Sequence, residues 1–559
     1  MASQLGLRVP SPGQKPPFPE LGQTPSMMWN GWLPTTRGLI PGRTNNESMY
    51  YAAADRMVAS GLRDAGYDTI AVTCNGWRRD AAGNLTVDPQ TWPRGYKAFV
   101  DYAHTRRLKV CAYTDTGKTN CCGEPGMYGH EEQDIRRFAD FGVDHIAVDN
   151  CDSPNGTAQS VFEYQRVHDA LVKVGHPMVF GIWNVGSGKP WAWAPQIGHY
   201  WRTGPDLGTQ WEGRVVPRES SPGGGTDGMS VLLNYDLQQS IPSLDSISGP
   251  GSFALLDNLA IGLPPNVPHA HDSGLTVEES RTHFSIWCVM ASPLILNHNI
   301  FGPNGSVDGP PAAGAAITEI ITNREAIAIN QDPLGKSAVR IDGASQWASL
   351  VPRLPFAPDM WSNGEQLAKP LANGDVAVLL FNRLNTTLDL TLKFVDIGDT
   401  SRACWHVRDI WAAADLGRFE QTFAAPAVPR HGCRFLRLSL GEVCRPPPPP
   451  PPCMPPPAAA APPGSKFKFD GKFEFDGGGF FGNLSTMTPV GNKGQSTVPN
   501  CAESCNAMRG CLAFHVFMDA RDIDNATAPC DRGDCYVHTA PLGRFQANRF
   551  AVLYIKRSG

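Results

Sequence analysis

A chain of 559 residues has length for about three domains. Hydrophobic residues at 41% allow sizeable cores, and a net charge of −5 gives no reason to expect nucleic acid or an anionic membrane as partner. No uninterrupted apolar run approaches the roughly 18–20 residues that cross a bilayer, so no membrane span is expected.

Residues 1–26 are rich in Pro, Gly and Gln and carry no apolar signal-peptide core, so they read as a flexible N-terminal tail. From 27 to 335 strand and helix patterns alternate. Strands are predicted at 28–32, 69–74 (TIAVTC), 109–115 (KVCAYTD), 145–150 (HIAVDN), 178–184 (MVFGIWN), 199–204, near 251–259 and at 292–297. They read as continuous apolar runs, the pattern of strands buried on both faces. Between them Ala54, Met57, Val58, Gly61 and Leu62 repeat at helical spacing, as do Ile135, Phe138 and Ala139, and Val167, Ala170, Leu171 and Val174. Eight such strands suit a closed (β/α)8 TIM barrel, an α/β fold. An open doubly wound sheet is the alternative, but no G-x-G-x-x-G follows the first strand.

Over 336–443 the helices stop. Strands at 375–381, 388–394, 404–410 and 433–438 predict an antiparallel β-sandwich, and Cys404 and Cys433 suit a bridge within it. Residues 444–464 form a proline-rich linker with seven consecutive prolines at 446–452. As polyproline II it spans about 55 Å, at ~3.1 Å per residue. Residues 465–559 hold Cys501, Cys505, Cys511, Cys530 and Cys535 and read as a small disulfide-rich domain. The chain has 15 cysteines without a zinc-type pairing of CxxC motifs, so disulfides are expected. Sequons at Asn46, Asn84, Asn155, Asn304, Asn385, Asn483 and Asn525 agree with a secreted or vacuolar/lysosomal glycoprotein. The partners of Cys74, Cys111, Cys122, Cys288, Cys444 and Cys453 stay open.

In a barrel of this type chemistry gathers where the strands end at the C-terminal face. Asp115, Asp149, Asp206 and Asp257 fall there, after the third, fourth, sixth and seventh strands. Two facing carboxylates are what glycoside hydrolysis needs: one attacks the anomeric carbon, the other protonates the leaving oxygen and later activates water. His269, His271 and Asp272 have the look of a small metal cluster, but a polar loop is the better reading, and no metal or cofactor is expected. Adjacent Cys121 and Cys122 suggest redox chemistry less than two separate disulfides.

Several motifs occur in order: Met28-Trp29-Asn30-Gly31-Trp32, Tyr113-Thr114-Asp115-Thr116-Gly117, Val148-Asp149-Asn150-Cys151, Trp201-Arg202-Thr203 and Asn330-Gln331-Asp332-Pro333-Leu334-Gly335. In these, residues 27–440 resemble family 27 glycoside hydrolases, the α-galactosidase (melibiase) and α-N-acetylgalactosaminidase group. The resemblance implies a retaining mechanism with Asp149 as nucleophile and Asp206 as acid/base. It implies sugar contacts at Trp29, Tyr113, Cys121, Asn184, Arg202 and Asp257, and a Cys121–Cys151 disulfide beside the nucleophile. The cysteine-rich end loosely resembles an apple/PAN-like module, which implies protein or glycan binding.

The chain departs from the family in four places, one of them the W-N-D-P-D-M stretch, which reads Phe253-Ala254-Leu255-Leu256-Asp257-Asn258. An Asp-Asp pair that grips the galactose 4- and 6-hydroxyls is replaced by Val72-Thr73-Cys74-Asn75-Gly76-Trp77. The lysine two residues before the nucleophile is Ala147, and the position after the fifth strand is Asn184. The expected activity is removal of terminal α-galactosyl or closely related residues, from a carbohydrate substrate, with a bell-shaped rate profile on the acid side of neutral. The alternative is a catalytically weak or silent carbohydrate-binding protein.

Overall fold

The computed structural model describes residues 10, 13–74, 76–152, 160–212, 230–265, 274–341, 364–398 and 404–441, with five short strands beyond them. The chain divides into two units, 1–444 and 445–559.

In the first unit eight strands run parallel: β1 (Met27–Asn30), β2 (Thr69–Val72), β3 (Lys109–Asp115), β4 (His145–Asp149), β5 (Val179–Ile182), β6 (Tyr200–Arg202), β7 (Phe253–Leu255) and β8 (Leu294–Leu296). They pair in the order β8-β1-β2-β3-β4-β5-β6-β7, and a parallel bridge from Leu259 to Leu296 returns the path beyond β7 to β8. Helices such as Glu47–Ala59, Glu131–Phe141 and Ser160–Val174 cover the outside at the expected places.

Period-two alternation sorts each strand into two faces. Met28, Ala71, Cys111, Tyr113, Ala147, Val179, Tyr200, Phe253, Leu255 and Ile295 fill the barrel interior. Met27, Trp29, Ile70, Val110, Ile146, Phe180 and Trp201 pack outward against the helices. Space inside is tight: a Cβ on Gly181 would lie 2.1 Å from the Tyr200 ring, so only glycine admits that ring at this level. Extending the interior face to the C-terminal mouth brings Asn30, Thr73, Asp115, Asp149, Trp183, Arg202, Asp257 and Asn297 to one rim.

Part of the supposed tail is ordered, which corrects the sequence reading. Gln14 donates to Gln165 Oε1 at 3.0 Å, Lys15 O meets His168 Nε2 at 3.1 Å, and Gly22 O accepts from Gly251 N at 2.8 Å. His199, just before β6, reaches Phe18 O at 3.3 Å, so this stretch lies against the opposite end of the barrel from the acidic rim.

The sandwich has a six-stranded antiparallel sheet of β9 (Val339–Arg340), β10 (Gly364–Pro370), β11 (Val376–Asn382), β13 (Cys404–Asp409), β14 (Ala414–Glu420) and β16 (Cys433–Leu440). Facing it is the pair β12 (Leu388–Lys393) and β15 (Thr422–Val428). Val378, Leu380, Leu392, Trp405, Val407, Phe423 and Leu436 form the core between the sheets. The other face of the large sheet, with Leu367, Leu379, Phe381 and Phe435, joins the barrel core.

A buried ion cluster ties the two layers. Arg383 Nη2 is 2.7 Å from Asp236 Oδ2 on the barrel and also pairs with Glu365, which accepts from Tyr235 Oη at 2.6 Å. Removing one member of a buried pair leaves uncompensated charge. Arg383→Met is therefore expected to lower unfolding stability by about 3–5 kcal/mol, read as a lower denaturant midpoint.

The predicted Cys404–Cys433 bridge does not form. In the antiparallel pairing of β13 with β16, Trp405 lies opposite Leu440, so Cys404 and Cys433 sit at opposite ends of the ladder. Cys433 is a free thiol 3.6 Å from Ser285 Oγ, whereas Cys404 is disulfide-bonded elsewhere.

The second unit contains an antiparallel sheet in the order Met487–Pro489, Arg532–His538, Ala513–Phe517, Ala551–Ile555, with Ser496–Thr497 also on Arg532–His538. The polyproline run lies outside the described residues, as do Cys501, Cys505, Cys511 and Cys530.

Candidate active site

Asp149 is the last residue of β4 and points to the rim because Ala147, two residues earlier, points into the barrel. Its Oδ2 accepts from Tyr113 Oη at 3.0 Å, and its Oδ1 accepts from Asn150 N at 3.0 Å. Cys121 Sγ stands 3.3 Å from Oδ2 and is bonded to Cys151, so it carries no proton to donate. Burial, then the charges of Asp115 and Asp206, push the Asp149 carboxyl up to about 7, against the pull of Asn150 N–H and Arg202. Burial also lifts the Tyr113 hydroxyl well above its ordinary value, with Asp149 and Asp115 adding to it, which keeps that group a donor.

The opposite wall is built on Arg202, at the end of β6. Its Nη1 is 3.0 Å from Asp206 Oδ1 and 3.0 Å from Asp257 Oδ1, and its Nη2 donates to Gly204 O at 3.0 Å. Burial works against the guanidinium charge, but Asp257 and Asp206 outweigh it and hold the group protonated. Asp257, with a φ of 101°, uses Oδ2 to accept from Leu207 N at 2.6 Å, directly after Asp206. Asp206 itself keeps 43% of its side chain exposed. One carboxyl is thus half-buried and hydrogen-bonded on both oxygens, and the other reaches solvent above a buried arginine. They share the same field, since Asp206 is among the charges that raise Asp149.

The structure therefore brings Asp149, Tyr113, Cys121, Arg202, Asp206 and Asp257 to one rim. Asn184, two residues beyond β5, is fully buried behind it and donates to Ser187 O at 2.6 Å. Trp29 corrects the sequence reading: it faces outward from β1, has no exposed surface, and donates Nε1 to His298 O at 3.0 Å. Its neighbours Met28 and Asn30 take the inward face, so the indole belongs to the core between barrel and helices and not to a sugar wall.

The Cys121–Cys151 bridge is present, with Cα atoms 5.3 Å apart. A second bridge, Cys74–Cys122, was not assigned from the sequence. It fixes the end of β2 to the loop after β3, at the place where the resemblance expects carboxylates. Thr73 beside it donates to Asn30 Oδ1 at 3.0 Å. The adjacency of Cys121 and Cys122 was the available signal: two neighbouring cysteines point two ways, so each can tie a different loop. Asp115, Asp149, Cys121 and Cys151 place ligand-type atoms within 4.8 Å of one another, but both sulfurs are in the disulfide, which leaves two carboxylates and no metal set. His269, His271 and Asp272 lie outside the described residues.

Residues 24–332 match the family model described as alpha galactosidase A, and residues 363–438 match the alpha galactosidase C-terminal beta sandwich domain. The chain is 33% identical over 450 residues to an alpha-galactosidase A of Cellvibrio japonicus, covering 78% of this chain and 97% of that protein. It is 30% identical to an alpha-galactosidase of Cyamopsis tetragonoloba, covering 75% of this chain and 87% of the relative. Among solved structures, alpha-galactosidase I from Mortierella vinacea superposes with a TM-score of 0.62 at 26% identity, over 76% of this chain and 99% of that one.

Proposed function

The chain belongs to the alpha-galactosidase family of glycoside hydrolases, and on that footing we propose that Asp149 and Asp206 carry a retaining hydrolysis of terminal α-galactosidic bonds. The chain is a glycosidase acting on O-glycosyl bonds, with α-galactosides as substrate class. The observation that supports the roles is the contrast between the two carboxyls, one held on both oxygens by Tyr113 and the Asn150 N–H, the other open to solvent above Arg202.

In this reading ionised Asp149 forms a bond to the anomeric carbon while Asp206 gives its proton to the departing oxygen. The covalent glycosyl-enzyme then meets water, and Asp206, now a base, takes the water's proton as the C–O bond to Asp149 breaks. Tyr113 donates to Asp149 Oδ2 and steers the other oxygen toward carbon. Arg202 and Asp257 hold the backbone and carboxylate of the Asp206 turn. We assign Tyr113, Cys121, Arg202 and Asp257 to the sugar-facing wall, with Asn184 supporting it from behind.

The domain plan follows the same proposal: a catalytic barrel at 27–335, a sandwich at 336–443, a linker at 444–464 and a cysteine-rich domain at 465–559. Apple/PAN-like binding of protein or glycan by the last domain rests on the spacing Cys501-x3-Cys505-x5-Cys511. A secreted or vacuolar/lysosomal location is supported by the two disulfides at the rim.

The test is the anomeric configuration of the first product. An aryl α-galactoside should release α-galactose first, seen by proton NMR before mutarotation. β-Galactose as first product would replace the covalent mechanism with direct attack by water.

A further inference from the structure

Asp115 ends β3 without exposed surface, and among the described residues no Lys or Arg pairs with it. Its contacts are backbone N–H groups from two different turns. Oδ1 accepts from Gly117 N at 2.6 Å, and Oδ2 accepts from Cys151 N at 2.7 Å. Cys151 lies two residues after Asp149, so a single carboxylate clamps the turn leaving β3 to the turn carrying the proposed nucleophile. The backbones are also bonded directly, Thr116 N to Asp149 O at 2.8 Å and Lys118 N to Asp152 O at 3.3 Å. They touch so closely that a Cβ on Gly117 would lie 2.1 Å from Asp152 O.

Clamping alone does not call for an anion. Burying a carboxylate without a cation is unfavourable, and a neutral acceptor would hold an N–H at lower cost. The negative charge has a second consequence, because the nearest oxygens of Asp115 and Asp149 lie within 4.8 Å. When Asp149 bonds to the anomeric carbon its charge is neutralised as an ester, and the repulsion from Asp115 disappears. Repulsion present before attack and relieved during it favours the transition state over the ground state.

We propose that Asp115 is a positioning residue for Asp149: its carboxylate clamps the backbone that presents the nucleophile, and its charge drives the nucleophile toward the neutral, carbon-bonded form. This rests on the assignment of Asp149 above. The other groups facing Asp149 are Tyr113 on β3, Tyr164 on the helix Ser160–Val174, and Arg202 and Asp206 at and beyond β6. Those facing Asp115 are Asp152, and Glu163 and Tyr164 on the helix Ser160–Val174.

The experiment compares pH profiles of wild type, Asp115→Asn and Asp115→Glu on an aryl α-galactoside, with azide rescue of Asp149→Gly run beside them. Rescue yielding β-galactosyl azide supports Asp149 as nucleophile independently, and its failure overturns that reading first. With rescue in hand, Asp115→Asn should move the acid limb of kcat/KM lower by about half a pH unit or more, since a negative neighbour is gone. Its kcat should fall about tenfold with KM within about twofold. A folded Asp115→Asn with the wild-type limb overturns the proposal. Should that variant fail to fold, Asp115→Glu decides: an unmoved limb with kcat reduced at least about tenfold supports the clamp, and a wild-type kcat overturns it.

Discussion

Asp149→Asn is expected to lower kcat on an aryl α-galactoside by roughly four orders of magnitude or more, because an amide oxygen cannot form the glycosyl ester. The fold should persist, since asparagine is nearly isosteric and the Asn150 N–H can still donate to its oxygen. KM should change little, because the loss falls on bond formation. In the wild type the same carboxyl sets the rising limb of the pH profile. It must be ionised to attack, and it is pushed up to about 7, so kcat/KM should climb as pH passes through neutrality from below. Steady-state rates from about pH 4 to 9 check both statements. An Asp149→Asn enzyme within tenfold of wild type would remove the nucleophile assignment.

Asp206→Ala has the second largest expected effect, and its signature is a dependence on the leaving group. With an oligosaccharide the departing hydroxyl needs a proton, so the rate should drop by about 10²–10⁴. With a dinitrophenyl α-galactoside the departing phenolate needs none, so the bond-breaking step should stay near the wild-type rate. The intermediate should then accumulate, because no base activates the water. A pre-steady-state burst followed by a slow phase is the measurement. Equal losses on both substrates would take Asp206 out of the proton-transfer role and leave it as a partner of Arg202.

The barrel was legible because strands covered on both faces have to be apolar at consecutive positions. β3 matches its predicted span, and the other barrel strands fall within or beside theirs. In the sandwich, β14 escaped the sequence reading for the opposite reason. Its residues, Ala414 to Glu420, are largely exposed and carry no apolar alternation. The acidic rim was legible as a set of carboxylates at strand ends, although Asp115 looked no different there from Asp149. What separates them is which backbone groups meet them, and that depends on loops folding back over thirty residues of chain. Trp29 misled because a motif tells which residues are neighbours and not which face a given strand turns inward. Cys404 and Cys433 misled in a related way: their strands do pair, but register decides whether cysteines at the strand starts meet, and antiparallel pairing sends them apart. The Cys74–Cys122 bridge joins loops 48 residues apart, and nothing local distinguishes it from other pairings.

The two carboxyls of the rim are fastened in different ways. Asp149 stands between residues stapled by covalent sulfur bridges that bind the ends of β2, β3 and β4 into one rigid block. Asp206 is held by one ion contact to a buried guanidinium and is open to solvent on its free side. A group that must make and break a bond to carbon along one line gains from immobility. A group that must serve a departing sugar oxygen and then an incoming water gains from a small swing. High ionic strength or mild denaturant should therefore disturb proton delivery before it loosens the attacking oxygen, as though the site had an anvil on one side and a hinge on the other.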